Sequence, residues 1–199
     1  IVRVDGKAFH SLTKGMKRPY DLDFQECMWS AAISLCETMQ NVILAYTQSD
    51  EISVLMYSDN YKSSPWFDNN VQKIVSVSAV NATIGFLRQY CIKFPERSAK
   101  VLSLVLKKEL AFDSRVFNLP LEEVLNYFLW RQNDCTRNSI QMLAQSQFSH
   151  KELQGKNVNQ LQDMLMLQKG INWNDCPVTQ KRGACIVKEQ YSGPNNSVR

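Results

Sequence analysis

The sequence has no apolar run approaching the roughly 20 residues that a membrane-spanning helix needs, so a bilayer is not its expected home and a cytoplasmic protein is. No signal peptide precedes Ile1, and the chain opens inside a strand without a starting Met, which predicts further residues upstream. Histidine is scarce: His10 and His150 are the only two. The six cysteines, at 27, 36, 91, 135, 176 and 185, form no Cys-x-x-Cys pair and have no zinc-like spacing to either histidine. Buried, reduced thiols on apolar faces account for them better than disulfides or metal ligation. Glycine numbers only seven, and no glycine loop of a nucleotide-binding type occurs. There is no Ser-His-Asp constellation with usable spacing, no internal repeat and no low-complexity tract, which removes the serine hydrolases, the solenoids and the linker-like classes.

The 199 residues are enough for one domain, or one domain with an appendage, around a sizeable core. At 44% hydrophobic and 21% charged residues the composition is ordinary for a globular protein. A net charge of +4 is compatible with a polyanionic partner without requiring one. The cations are scattered, at Lys14, Lys17 and Arg18, Arg97 and Lys100, Lys107 and Lys108, and Lys181 and Arg182. Such spacing suits a surface that meets phosphates at several points, and equally a solvated one.

Two stretches carry the chemistry. Val2-Arg3-Val4-Asp5-Gly6 reads as a short strand ending in Asp-Gly, and 41–57, NVILAYTQSDEISVLMY, as two apolar strands meeting at Ser49-Asp50-Glu51. A hairpin tip more commonly carries Gly or Asn, and adjacent like charges repel unless a cation or solvent separates them. If the first strand neighbours the hairpin, Asp5 and Asp50 converge. Two hard carboxylates with a free backbone carbonyl, and no competing Cys or His nearby, suit Mg²⁺, which keeps sites for phosphate and water. That chemistry is phosphoryl or nucleotidyl transfer. The plainer alternative, an Asp-Gly turn and a solvated hairpin tip, is equally open on spacing alone.

Along the chain, 7–20 is a polar connection, and Asp21 or Asp23 caps a helix with Phe24, Cys27, Met28, Ala31, Leu35 and Met39 on its apolar side. A loop over 58–68 leads into a second amphipathic helix through Val71, Ile74, Val75, Ser78, Ala79, Ala82 and Phe86. The segment 93–108, broken by Pro95, reads as either strand or helical turn at 101–106, and 111–119 reads as a strand. The order strand, helix, strand, strand, helix, strand predicts a ferredoxin-like α+β sheet, an antiparallel βαββαβ arrangement. Beyond it, Asn118 and Pro120 open a long helix with Leu121, Val124, Leu125, Phe128 and Leu129 on one face. Ser149-x-x-Glu152 is a capping box, Gly155 closes that helix, and Asn157 and Gly170 bound another. A last strand is expected at 183–188 and a polar tail from 191. The expected division is 1–119 as a catalytic core, 120–190 as a helical and strand region packed on it, and 191–199 as tail.

Three motifs in order, Arg3-x-Asp5-Gly6-x-x-Phe9-His10, Ala45-Tyr46-Thr47-Gln48-Ser49-Asp50-Glu51 and Trp130-Arg131-Gln132-x-Asp134-Cys135, with Phe112-Asp113-Ser114-Arg115-Val116-Phe117 before the third, make a specific signal together. The combination resembles the tRNA-histidine guanylyltransferase family, in its bacterial, archaeal and phage-type like-protein branch. The resemblance implies a polymerase-type palm that extends tRNA backwards, 3′ to 5′. A 5′-phosphate is activated with ATP or GTP, or a triphosphate is already present. The 3′-hydroxyl of an incoming nucleotide then attacks, releasing AMP or pyrophosphate. It implies two Mg²⁺ ions on Asp5, Asp50 and the Gly6 carbonyl, with Glu51 supporting them. It also implies a triphosphate wrapped by Asp5, Gly6, Lys7, Ala8, Phe9 and His10, contacts from Ser49 and Lys73, activation-step or phosphate contacts at Lys17, Arg18, Arg131 and Asn138, and a homotetramer that binds tRNA across subunits. Where eukaryotic members read His-Ile-Asn-Asn after the third motif, this chain reads Thr136-Arg137-Asn138-Ser139. That departure points to templated 5′-end repair of tRNA over strict addition of one guanosine to tRNA-histidine. A palm that binds tRNA or nucleotide without turnover is the rival from another class.

Overall fold

A computed structural model describes residues 1–57, 64–97, 99, 103 and 110–189. Strand β1 (Val2–Lys7) alternates strictly: Val2 and Val4 are fully buried on one side, while Arg3 and Asp5 turn to the other. In β2 (Val42–Gln48) and β3 (Glu51–Met56) both faces are covered, so 45–48 and 51–54 are buried without a break, and β4 (Ala111–Val116) buries Phe112 between more exposed neighbours. These strands pair antiparallel in the order β4-β1-β3-β2, the arrangement expected of a ferredoxin-like sheet, and β5 (Ala184–Val187) adds a fifth strand on the β2 edge. The register places Asp5 opposite Glu51 on one side and opposite Asp113 on the other.

One face of the sheet carries the main core. Helix α2 (Leu22–Thr38), which follows a single turn α1 (Phe9–Leu12), lays Cys27, Met28, Ala31 and Leu35 on it, and Asp21 caps α2 by accepting from the Phe24 amide at 3.1 Å. Helix α3 (Val71–Lys93) brings Ile74, Ala82, Phe86 and Tyr90 to the same core. The two helices meet closely at Gly85, where an added Cβ would stand 2.7 Å from Ser34 Cβ. The Ser78 and Ser114 hydroxyls lie 2.7 Å apart, and Thr83 Oγ1 accepts from the Phe112 amide, so α3 runs along β4 with its first turn at the Val116 end.

The other face is crossed by one long helix, α4 (Val124–Gln147). Its start differs from expectation: Pro120 precedes a 3-10 turn, Leu121–Glu123, and Asn118 is not the cap. Its buried side differs too. Tyr127, Arg131, Cys135 and Ser139 face inward, while Leu121, Leu125 and Leu129 are exposed. Past α4, the single turn α5 (His150–Leu153) opens with the Ser149/Glu152 capping box, and α6 (Val158–Lys169) runs from Asn157 to Gly170. Leu161 and Leu165 of α6 join Ile140, Leu143, Phe148 and Trp173 in a second, smaller apolar cluster. A last turn, α7 (Val178–Arg182), leads into β5.

All six cysteines are free, with Cys27, Cys36 and Cys135 buried but Cys91 and Cys185 exposed, which corrects the expectation of buried thiols for those two. No helix among the described residues is long and apolar enough to cross a membrane. Most of 93–108 and 58–68 and the tail from 191, on which readings were made above, lie outside the described residues.

Candidate active site

The site lies where β1 ends and the β2–β3 hairpin turns. Ser49 takes φ 51° at the tip, a left-handed conformation that reverses the chain within two residues. The turn is tied to β1 by the Gly6 amide, which donates to the Asp50 carbonyl at 2.9 Å. Asp5 and Asp50 therefore converge. Burial, and then the nearby Asp5 charge, push the Asp50 carboxyl above its usual range, while a hydrogen bond from Ser49 Oγ at 3.2 Å works the other way. An apo site in which ionising a carboxyl is penalised is one that a cation would relieve.

Asp5, Asp50 and the Gly6 carbonyl fit a hard divalent cation that keeps several positions for phosphate and water. Among the described residues no three His, Cys, Asp or Glu side chains gather into a cage of their own. Glu51 stands apart from that set. It is 5% exposed, its two oxygens accept from Arg131 Nε at 2.7 Å and Arg131 Nη2 at 2.6 Å, and Arg3 Nη2 donates to it at 2.6 Å. Its support of the site runs through the sheet, since its carboxylate is occupied by two guanidinium groups.

Arg131 is likewise committed. Burial opposes its charge, yet the bonds to Glu51 outweigh burial and hold its pKa up, and Nη2 also reaches Asp134 at 3.2 Å. At 4% exposed, its guanidinium faces the protein and not a phosphate. The third sequence motif thus acts as the clamp that fixes α4 to β3. Cys135, next along, lies buried beside Tyr46, whose hydroxyl donates to the Arg182 carbonyl at 2.8 Å.

A cleft of about 420 Å³ opens beside Asp50, and His10, Lys17, Arg18, Ser49, Asp50 and Asn138 all line it, whereas Asp5, Gly6, Lys7 and Ala8 do not. Phe9 also borders it but is an anchor: 2% exposed, it packs at 5.0 Å from Phe86 and 4.9 Å from Phe112. Gly6 is required by that anchor, because an added Cβ would come within 2.7 Å of the Phe9 ring. Ala8, at φ 59°, makes the turn that returns the chain to the sheet, and Lys7 is exposed at the strand end.

Two residues that the sequence reading did not assign to the site shape the cleft. Asp21 caps α2 with one oxygen and accepts from the Lys17 amide at 3.0 Å with the other, which folds the Lys17-Arg18 segment against the helix. Arg97 Nη2 donates to the Gly15 carbonyl at 2.6 Å and braces the same segment from behind. Asp21 was visible as a cap; nothing in the spacing of Arg97 linked it to Gly15, 82 residues away.

Lys73 is not brought to the cleft of its own chain. It is exposed in the first turn of α3, its ammonium 5.9 Å from the Phe67 ring, at the Val116 end of the sheet, whereas Asp5 lies towards the other end. The departed stretch after the third motif serves largely to hold the C-terminal elements. Thr136 Oγ1 donates to the Lys181 carbonyl at 3.3 Å, Ser139 Oγ accepts from Trp173 Nε1 at 3.0 Å, and the Ser139 carbonyl accepts from the Tyr20 hydroxyl at 2.7 Å.

Residues 1–120 match the sequence model of a family described as tRNAHis guanylyltransferase. The chain is 28% identical over 202 residues to the tRNA(His) guanylyltransferase of Debaryomyces hansenii, covering 95% of this chain and 73% of that protein. A bacterial tRNA(His) guanylyltransferase-like protein solved in complex with ATP superposes with a TM-score of 0.86 at 46% identity, covering 94% of this chain and 78% of the other. A second bacterial structure of that description, in complex with GTP, gives 0.77 at 40% identity over 99% of this chain and 77% of the other.

Proposed function

This chain belongs to the tRNAHis guanylyltransferase family, and from that membership we propose a template-dependent 3′-to-5′ nucleotidyltransferase that repairs the 5′ end of tRNA in the cytoplasm. The observation that carries the reading is the convergence of Asp5 on Asp50, which lines a cleft edged by Lys17 and Arg18. The cleft takes ATP or GTP, as the two bacterial relatives solved with those nucleotides do. The 5′-phosphate of the tRNA attacks the α-phosphorus of ATP and displaces pyrophosphate, and the 3′-hydroxyl of the incoming nucleotide then attacks that 5′-phosphorus and displaces AMP. Starting from a 5′-triphosphate, the second attack alone suffices and displaces pyrophosphate.

Each residue has a part in this scheme. Asp5, Asp50 and the Gly6 carbonyl would hold two Mg²⁺ ions, which when bound stabilise charge on the attacking and leaving oxygens. Lys17 and Arg18, both exposed on the cleft wall, neutralise phosphate charge; Lys17 is the better candidate for the activation step, since Arg titrates out of useful range. His10, Ser49 and Asn138 orient the nucleotide from three sides of the cleft. Glu51 and Arg131 act behind the site by fixing the β2–β3 turn to α4, and Lys73 stays outside the nucleotide site of its own chain. The first 119 residues form the catalytic palm, and 120–190 close the cleft from the other side. The exposed Leu121 in the turn before α4, with Leu125 and Leu129 on it, supports assembly into a homotetramer, because such a row is uncommon on a surface that stays solvated.

The test is incorporation of labelled GTP, with ATP and Mg²⁺, into a tRNA lacking its first nucleotide and into full-length tRNA-histidine. Label that enters the truncated tRNA only opposite a complementary base supports templated repair. Label added to tRNA-histidine whatever base stands opposite replaces that reading with strict guanosine addition. No label in either leaves a binding palm without turnover.

A further inference from the structure

The face of β1 and β4 beside α4 is open. Its β4 side chains Asp113 and Arg115 are 51% and 60% exposed, Lys7 is exposed at the end of β1, and Asp5 is 32% exposed on the same face. The cleft described above is a separate space: Asp50 lines it, and Asp5, Lys7, Asp113, Arg115 and Trp130 do not. A transferase that joins two substrates needs room for both, and Asp50 edges the one space while Asp5 edges the other.

One wall of the open face carries an exposed tryptophan. Trp130 is 56% exposed, on the side of α4 that Tyr127 occupies one turn earlier. Tyr127 bonds Ser53 Oγ at 2.8 Å and packs 5.6 Å from Phe117, the residue just past β4, whereas Phe128 leans the other way, over Tyr46 of β2. Trp130 therefore looks towards β1 and β4. The exposed leucine stripe is elsewhere on the helix, since Leu121, Leu125 and Leu129 follow the i, i+4 row around its outer side.

The indole is also rigidly backed. The Arg131 guanidinium lies 4.5 Å from the ring centroid, and that guanidinium is itself held by Glu51 and Asp134. Tyr127 meets the ring edge-on at 6.0 Å. A large flat ring fixed from behind by an immobilised cation is ordered before any ligand arrives, so stacking on it costs little entropy. Lys7 is exposed at the end of β1, and Arg115 on β4 and Arg137 further along α4 are 60% and 59% exposed, paired with Asp113 and Asp134; exposed cations of this kind suit a strand of phosphates.

We infer that Trp130 is the stacking platform for the terminal base at the 5′ end of the RNA strand, which lies across the open β1–β4 face while the nucleoside triphosphate occupies the cleft. The inference rests on the tRNA reading proposed above and adds the residue that receives the end of the RNA. Aromatic stacking is tolerant of base identity, as an enzyme that copies any template base requires.

The probe is a 5′-phosphorylated acceptor-stem minihelix labelled at its 3′ end, prepared with a normal first nucleotide and with an abasic one. The full chain is titrated with each RNA by fluorescence anisotropy, without ATP. The wild-type protein binds the normal RNA about tenfold more tightly than the abasic one. Trp130→Leu binds both equally, and Trp130→Phe keeps most of the discrimination. Wild-type discrimination retained in Trp130→Leu overturns the inference, as does equal wild-type binding of the two RNAs. Wild-type protein that binds neither overturns the tRNA reading and the platform with it. Sedimentation of Trp130→Leu separates a subunit contact from a platform: an altered assembly state with discrimination intact assigns the ring to the subunit interface.

Discussion

Replacing Arg131 by Met tests the claim that the third sequence motif is a clamp. Met keeps the aliphatic stem but removes the three hydrogen bonds that Arg131 gives to Glu51 and Asp134. Glu51 would then be left 5% exposed with Arg3 as its one cationic partner. Stranding a buried charge costs about 3–5 kcal/mol. The lower end applies here, about 3 kcal/mol, because Arg3 remains at 2.6 Å and is itself partly solvated, with 21% of its side chain exposed. The assay is urea unfolding followed by circular dichroism, with the free energy extrapolated to water. The double variant Arg131→Met/Glu51→Gln should recover most of the loss, because the neutral amide no longer needs a counter-charge. A change under about 0.5 kcal/mol in Arg131→Met would refute the clamp, as would a double variant no more stable than the single one.

Three further outcomes follow from the geometry. In Asp50→Asn the apo protein should melt higher than wild type at pH 7. The fold raises the carboxyl pKa, so ionising Asp50 costs native stability, and that stability falls as pH rises from the ordinary carboxylate range through the raised value, a loss the neutral Asn does not suffer. Differential scanning fluorimetry checks both this and its counterpart, that Mg²⁺ raises the melting temperature of wild type more than that of the variant. Gly85→Ala should lose stability despite a helix-propensity gain of about 1 kcal/mol, because overpacking costs about 1–3 kcal/mol where the new Cβ meets Ser34 Cβ at 2.7 Å and the Ala31 and Ser30 backbone at 3.1 Å; a more stable variant in urea unfolding would show that α2 and α3 can part at no cost. Lys73→Ala should leave ATP affinity unchanged by calorimetry, and a loss beyond about tenfold, or 1.4 kcal/mol, would show that another copy of the chain delivers Lys73 to the cleft.

The sheet was legible because β1 alternates, β2 and β3 are continuous apolar runs, and the helices between them carry caps with a mechanism. Val2 and Val4 alternate with Arg3 and Asp5, Asp21 caps α2, and the Ser149 and Asn157 boxes close as their side chains demand. The meeting of Asp5 with the Ser49-Asp50-Glu51 turn was legible from the same alternation once the strand order was known. The buried side of α4 was not. Apolar spacing selected Leu121, Leu125 and Leu129, but the surface α4 covers includes Glu51 and Ser53, so Arg131 and Tyr127 are turned inward to satisfy polar groups. A hydrophobic pattern predicts the wrong side whenever the covered surface is charged. The parts of Glu51, Arg131 and Lys73 came from the resemblance and not from spacing, and no spacing shows that Glu51 and Arg131 bond to each other across 80 residues. Sequence order shows that α3 precedes β4 but not which end of the sheet its first turn, with Lys73, reaches.

The central claim is that Asp5 and Asp50 together are the chemical centre, and the most direct measurement is single-turnover nucleotide addition to a 5′-truncated tRNA by wild type, Asp5→Asn and Asp50→Asn under saturating ATP, GTP and Mg²⁺. Circular dichroism and urea unfolding first establish that each variant is folded. The account predicts that either substitution lowers the rate by about 10³-fold or more, with tRNA binding retained, since the carboxylates serve the reacting phosphates and not the RNA. A folded Asp50→Asn enzyme that adds nucleotides within tenfold of the wild-type rate would contradict it.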